Sequence, residues 1–200
     1  MKHYRFMIAS PDGALSFLFG VLAVILWYTS VNAVNPDMLV PICITQLVLS
    51  LGSLACSLLN ILRGKPRGNL NLITTILLGL FPGFNTLITL LSYLYGQVYS
   101  PKIYGLMYIV GSVFAFGVMF GRLHKAVYRS LGTGCMGVAQ LLHGLSDMTG
   151  NVACLHIAGW FFLLFALSQF WFGMAEMWRY YGAHWPEGVT WDQVRERLHA

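Results

Sequence analysis

The chain has 200 residues, 57% of them hydrophobic and only 10% charged, with a formal net charge of +5 and a mean hydropathy of +0.66. That balance excludes an ordinary water-soluble domain and fits a polytopic membrane protein. The charges are gathered into short segments and leave six uncharged runs, 13–36, 38–62, 68–101, 103–121, 130–146 and 148–175. Each run reaches or nearly reaches the roughly 18–20 residues that cross hydrocarbon as a helix.

The first helix is predicted over about 14–34, after a Pro11-Asp12-Gly13 turn and before a tight turn at Asn35-Pro36-Asp37. Met1–Arg5 is basic and Val31-Asn32-Ala33 resembles a cleavage site, but Pro11 and Asp12 interrupt the apolar run and its length exceeds that of a signal core, so it reads as a retained helix. The second helix covers about 38–62, and the segment from Arg63 to Gly68 is a basic loop. The third lies within about 71–96, and its Gly79-Leu80-Phe81-Pro82-Gly83 centre predicts a kink or break, because Pro82 cannot donate to the Leu78 carbonyl. Helices over about 103–121, 130–148 and 152–177 follow, which makes residues 1–181 one transmembrane unit and leaves 182–200 as a tail. The runs are continuously apolar rather than alternating, which argues against a barrel. The expected fold is an all-α integral membrane protein of six helices.

Six helices that begin inside put Lys2, Arg5, Arg63, Lys65, Arg67, Arg122, Lys125, Arg129, Arg179, Arg195 and Arg197 on one side and only Lys102 on the other. The positive-inside rule makes the crowded side cytoplasmic, with both termini there, in a multi-pass cell-membrane protein. Basic loops against anionic lipid headgroups account for the net charge without a nucleic-acid partner. Cys43, Cys56, Cys135 and Cys154 all sit in apolar runs and read as packing residues. Small residues four apart, Ser16/Gly20, Ser53/Ser57, Gly79/Gly83 and Gly117/Gly121, read as helix–helix seams. Tyr99, Tyr104, Trp178, Tyr180, Tyr181 and Trp185 suit interfacial belts.

Ionisable residues in apolar runs are the usual flags of function in membranes. His143 and Asp147, four apart, share one helix face, where they suit a proton-linked pair or a wet helix end. His156 and Glu176 in the last helix are separated by 20 residues, about 30 Å at the helical rise, and flank the span rather than meet within it. The sequence carries no G-x-S-x-G, H-E-x-x-H or Walker pattern and no close carboxylate pair, so no catalytic residues, metal site or cofactor are expected.

The segment from Gly150 and Asn151 through Ala153, His156, Ala158, Gly159 and Trp160, followed by Gly173-Met174-Ala175-Glu176, resembles the last helix of the YaaH/SatP-type acetate and succinate transporters. Pro11 through Gly20, Arg67-Gly68-Asn69 and Phe114 through Gly121 match other elements of that family in order, so the resemblance covers about residues 10–180. It implies a small-monocarboxylate transporter or channel, assembled as a ring of six subunits with a pore through each bundle. It also implies a constriction made by an aromatic in the first helix, a Tyr in the third and a Leu in the fifth. Phe19 matches the first of these and Met136 falls where the Leu would be, while Leu77 through Phe81 holds no Tyr. The opening turn, Ser10-Pro11-Asp12-Gly13-Ala14-Leu15, departs from the family pattern, and Ser53 and Asn60 stand where it often has Gln and Glu.

On this reading the substrates are a small carboxylate and protons, and the surroundings are membrane lipid. Phe19, Met136 and the kink at Pro82 shape the path, Asn151 and His156 donate to the carboxylate, and Trp160, Asp147, His143 and Glu176 are further candidates for substrate binding or proton linkage. A channel for another small solute remains open as an alternative. So does a nontransporting scaffold or sensor whose tail, through the amphipathic stretch Val189 to Leu198, holds a partner or lies on the membrane surface.

Overall fold

In the computed structural model the described residues are 11–123, 126–183, 185–186 and 188–198. Ser10 of the opening turn and three of the basic residues weighed for orientation, Lys2, Arg5 and Lys125, lie outside them. The described residues form α1 (Asp12–Val31), α2 (Pro36–Leu62), α3 (Arg67–Thr75), α4 (Phe81–Tyr95), α5 (Lys102–Gly121), α6 (Val127–Thr149), α7 (Val152–Tyr180) and α8 (Trp191–Leu198). A π-helical turn, Ile76–Leu80, joins α3 to α4 without interruption.

That turn is the form taken by the expected kink. The Phe81 N–H reaches the Ile76 carbonyl five residues back, and the wider turn makes room ahead of Pro82, which has no N–H to give. The third helix starts at Arg67, about four residues before its predicted start. Its first turn lies close on α2, since a Cβ at Gly68 would come within 2.6 Å of the Ile61 side chain. The first helix ends at Val31, short of its predicted end, because Asn32 turns to extended backbone and its side-chain amide donates to the Tyr28 carbonyl at 3.0 Å.

Five helical segments are long and apolar enough to cross a membrane: Asp12–Val31, Pro36–Leu62, Arg67–Tyr95, Lys102–Gly121 and Val152–Arg179. The helix predicted as the fifth span, α6, has 23 residues but falls outside this set. Its composition explains why. It carries Arg129, Thr133, Gln140, His143 and Asp147, and packs along both α5 and α7.

The bundle is inside out compared with a soluble one. Along α2 the side chains of Gln46, Ser50, Ser53, Ser57 and Asn60 are buried, while Ile44, Val48, Leu51 and Leu62 on the other faces are more than half exposed. The buried hydroxyls donate back into their own helix, Ser53 to the Leu49 carbonyl at 2.9 Å and Ser57 to the Ser53 carbonyl at 2.8 Å, so these hydroxyls need no water. Against it lie Gly79, on Ser50, and Gly83, on Leu47.

The core gathers Leu15, Phe19, Leu22 and Leu26 of α1 with Met136 and Ala139 of α6 and Phe162, Phe165 and Ala166 of α7. α1 lies closely along α7: a Cβ at Gly20 would come within 2.5 Å of the Phe170 ring, and one at Gly173 within 2.7 Å of the Phe17 ring. α5 and α6 meet at Gly105 and Gly144, each against the other's carbonyl. The seam expected at Gly117 and Gly121 is absent: a Cβ at either would meet nothing within 4 Å. The tail folds back onto the bundle. The Val127 N–H donates to the Val189 carbonyl at 3.0 Å, Trp191 donates to Ser130 Oγ at 2.6 Å, and Trp185 meets Trp171 edge-on and Trp178 at a tilt.

These contacts predict opposite responses to one substitution. Gly20→Leu drives a side chain into the Phe170 ring and should cost about 1–3 kcal/mol, read as a lower melting temperature of the detergent-solubilised protein. Gly117→Leu enters open space and should leave the melting temperature unchanged or slightly raised.

Candidate functional site

Helix ends bring charge together at one end of the bundle. Asp12 opens α1, Arg67 opens α3, Arg122 follows the last residue of α5 and Arg129 lies in the first turn of α6. These four side chains line a cavity of about 230 Å³ enclosed by α1, α3, α5, α6 and α7. Deeper in, Leu15, Phe114, Ala115 and Phe165 stand beside Ser16, Thr74 and Ser168, and the cavity reaches Phe19 and Met136. Phe19 follows Asp12 by seven residues on α1, and Met136 follows Arg129 by seven on α6, so both lie about 10 Å in from the charged mouth. Phe19 is 5% exposed and Met136 2%, and both belong to the core.

Positive charge dominates the mouth. Asp12 is the one acid of the lining, and its carboxylate is engaged on both oxygens: Asn60 Nδ2 donates to Oδ1 at 2.7 Å and Lys65 Nζ to Oδ2 at 3.0 Å. This bridge ties the start of α1 to the α2–α3 loop. Arg122 Nη1 donates to Thr133 Oγ1 at 3.0 Å. Arg129 Nε donates to the Tyr128 hydroxyl, and its guanidinium lies 4.2 Å over the Phe172 ring. Burial first, then the like charges of Arg67 and Arg129, pull Arg122 down to about 10, still cationic at neutral pH. Three guanidiniums around a small cavity with a neutralised acid make a site for an anion.

The other predicted site residues do not gather there. Pro82 is buried at the start of α4 and lines no part of the cavity. His143 is buried on α6, its ring 4.3 Å from that of Tyr108 and 6.1 Å from that of Phe162, with Nε2 4.0 Å from Asp147 Oδ1. Met136, Gln140, His143 and Asp147 follow one another along one side of α6, so this polar row begins where the cavity ends. Asn151, expected to meet a carboxylate, is exposed and caps α7, its Oδ1 accepting from the Ala153 N–H at 3.0 Å. His156 is exposed, and Trp160, 54% exposed, leans on Trp27 on the outside of the bundle. Glu176 is paired with Arg179 at 3.3 Å. Asn151, His156, Trp160 and Glu176 all stand outside the cavity lining.

The charged mouth is what the sequence reading missed. Arg67, Arg122 and Arg129 were counted as loop charges, and a signal was available, since each directly adjoins an apolar run. Gln140, fully buried with neither amide atom partnered, also escaped notice because one amide in an apolar run has no periodic signature.

The fold and the cavity define a helical membrane protein with a basic vestibule that reaches Phe19 and Met136. No family model and no curated protein matches the chain. Among solved structures, that of the bacterial acetate channel SatP superposes with a TM-score of 0.71 over 88% of this chain and 96% of that one, at 21% sequence identity. The chain therefore shares the fold of that channel.

Lys65→Ala should leave the largely buried Asp12 carboxylate with Asn60 as its main support, at a cost of about 1–2 kcal/mol for a partly buried pair. The loss should be read in the melting temperature, and Lys65→Arg should restore most of it.

Proposed function

We propose that this protein passes acetate or a similar small monocarboxylate across the membrane, by proton-linked or passive, channel-like transport. The observation that carries the reading is the basic cavity that ends on Phe19 and Met136. Arginines at the mouth draw a carboxylate out of water, and the apolar floor then selects against any species that stays charged and hydrated, because an unpaired carboxylate in hydrocarbon costs far more than the neutral acid. A narrow apolar constriction behind a cationic vestibule therefore favours the protonated acid or an anion that moves with a proton. The shared fold with an acetate channel supports the same reading.

Beyond the constriction, His143 and Asp147 are the proposed proton-linked pair, reached past Gln140. Asn151, His156, Trp160 and Glu176 act in helix capping, outer-face packing and ion pairing, and Pro82 acts by setting the π-helical turn. In this proposal α6 is a sixth span, shielded from lipid by α5 and α7, which is why it can carry more polarity than the other five. The termini are cytoplasmic, the protein is multi-pass in the cell membrane, and six copies form a ring, each with its own path. Met136 in place of a Leu and the missing Tyr near Leu77 favour, as a second reading, a channel of altered width for another small solute.

In proteoliposomes with an inward proton gradient, labelled acetate should enter faster than into empty vesicles, and an uncoupler should abolish the excess if protons are linked. Phe19→Arg should reduce uptake by at least about tenfold, since a charge at the constriction raises the barrier by more than 1.4 kcal/mol. Wild-type uptake no faster than in empty vesicles, from protein shown to be folded, would remove acetate as substrate.

A further inference from the structure

The basic cavity is not closed on all sides. Between α3 and α5 a second space of about 430 Å³ is lined by Leu70, Phe114, Gly117, Val118, Gly121 and Arg122, and all of these except Gly117 also line the basic cavity. The two spaces thus adjoin one another at Arg122. Apart from that arginine the cleft wall is apolar, and it opens at Gly117 and Gly121, one helical turn apart, where added side chains would meet nothing within 4 Å. The opposite side of α5 is its tight side, with Gly105 on the Gly144 carbonyl and Gly111 on Gln140. One face of α5 is therefore consumed by α6 while the other fronts a cleft that is apolar along its length and cationic at one end.

An occupant must match that polarity: an apolar chain and a single anionic end. A small carboxylate satisfies only the cationic end. A second copy of this chain could cover the glycines, but it would need a carboxylate at the level of Arg122. Of the acids described at this end of the bundle, Asp12 is held by Lys65, Glu176 by Arg179 and Asp192 by Arg195, and Glu196 lies on the exposed, polar tail helix α8, which offers no apolar face to cover the glycines. A phospholipid satisfies both ends, and it supplies its phosphate at the depth where positively charged residues edge a transmembrane helix.

We propose that the α3–α5 cleft is a binding site for an anionic phospholipid, with its phosphate on Arg122, Arg67 and Arg129 close behind, and one acyl chain lying over Gly117 and Gly121. The bound phosphate would offset the burial and the two neighbouring guanidiniums that weigh against the charged form of Arg122. The lipid would also form the missing wall of the vestibule. This inference rests on the membrane placement of the chain and not on the transport reading, and binding is measured without reference to uptake.

The test is native mass spectrometry of the delipidated, detergent-solubilised protein titrated with phosphatidylglycerol or with phosphatidylcholine of the same acyl chains. Phosphatidylglycerol should bind at concentrations about tenfold lower, given roughly fivefold per basic residue engaged. Arg122→Gln should weaken its binding about fivefold. Gly117→Leu, which fills open space and spares the fold, should weaken both lipids by excluding the acyl chain. Equal binding of the two lipids, or unchanged binding to Gly117→Leu, would overturn the proposal. So would displacement of the lipid by equimolar inorganic phosphate, which would mark a site for free anions. A change in subunit number in Gly117→Leu with lipid binding intact would assign the cleft to a contact between copies instead.

Discussion

Hydrocarbon offers no hydrogen bonds, and the arrangement of this bundle follows from that single lack. A buried serine in α2 must find its acceptor inside the protein, and Ser53 and Ser57 do so in the preceding turn of their own helix. Once the hydroxyls are satisfied locally, the serines of α2 can be covered by small surfaces such as Gly79 and Gly83. The apolar faces then turn outward, the reverse of what water would impose. The same logic tolerates α6: flanked by α5 and α7, it holds polar residues that an outer helix could not present to lipid. Because α6 is polar it can line a cavity, and its register sets Arg129, Thr133 and Met136 at successive depths.

On the proposed reading the cavity separates two tasks that conflict when performed in one place. Attracting an anion calls for charge near water, whereas stripping its hydration calls for an apolar wall away from charge. Here the guanidiniums stand at helix ends and the apolar ring of Phe19 and Met136 about two helical turns further in. The Asp12–Lys65–Asn60 cluster matters to this division, because an unneutralised carboxylate at the mouth would cancel part of the field the arginines make. By tying α1 to the α2–α3 loop it also fixes the helix that carries Phe19.

What the sequence disclosed, and what it did not, divides along physical lines. Spans were legible because gaps between charges are set by bilayer thickness, a property of the chain alone; α6 was legible as a helix but does not pass on apolarity, since its environment is protein. The interruption near Pro82 was legible from the missing donor, but its π-helical form depends on how the turn meets α2, which no local pattern encodes. Of the small-residue pairs, Gly79/Gly83 does meet a neighbouring helix and Gly117/Gly121 does not, because spacing reports the capacity for close approach and not the presence of a partner. Asn151 illustrates a competition: the residue before a helix is first of all a cap, and its oxygen goes to the Ala153 N–H. The arginines of the mouth escaped notice because positive residues near span ends are expected in any membrane protein, and only the convergence of three helix ends makes them a site.

The seam between α1 and α7 has a consequence for how the chain is made. α1 leaves the ribosome first, yet the groove formed by Gly13, Gly20 and the rings beside them is filled by Phe170 and Met177, more than 140 residues later. During synthesis α1 must therefore wait in the bilayer with its close-packing surface exposed, while hairpins of neighbouring segments form around it. The final stage of assembly is the closing of a ring by its last long helix, so the vestibule has no complete wall until that helix docks. A chain that stalls before α7 would leave Arg129 without the Phe172 ring and the vestibule without the wall that Phe165 and Gln169 supply.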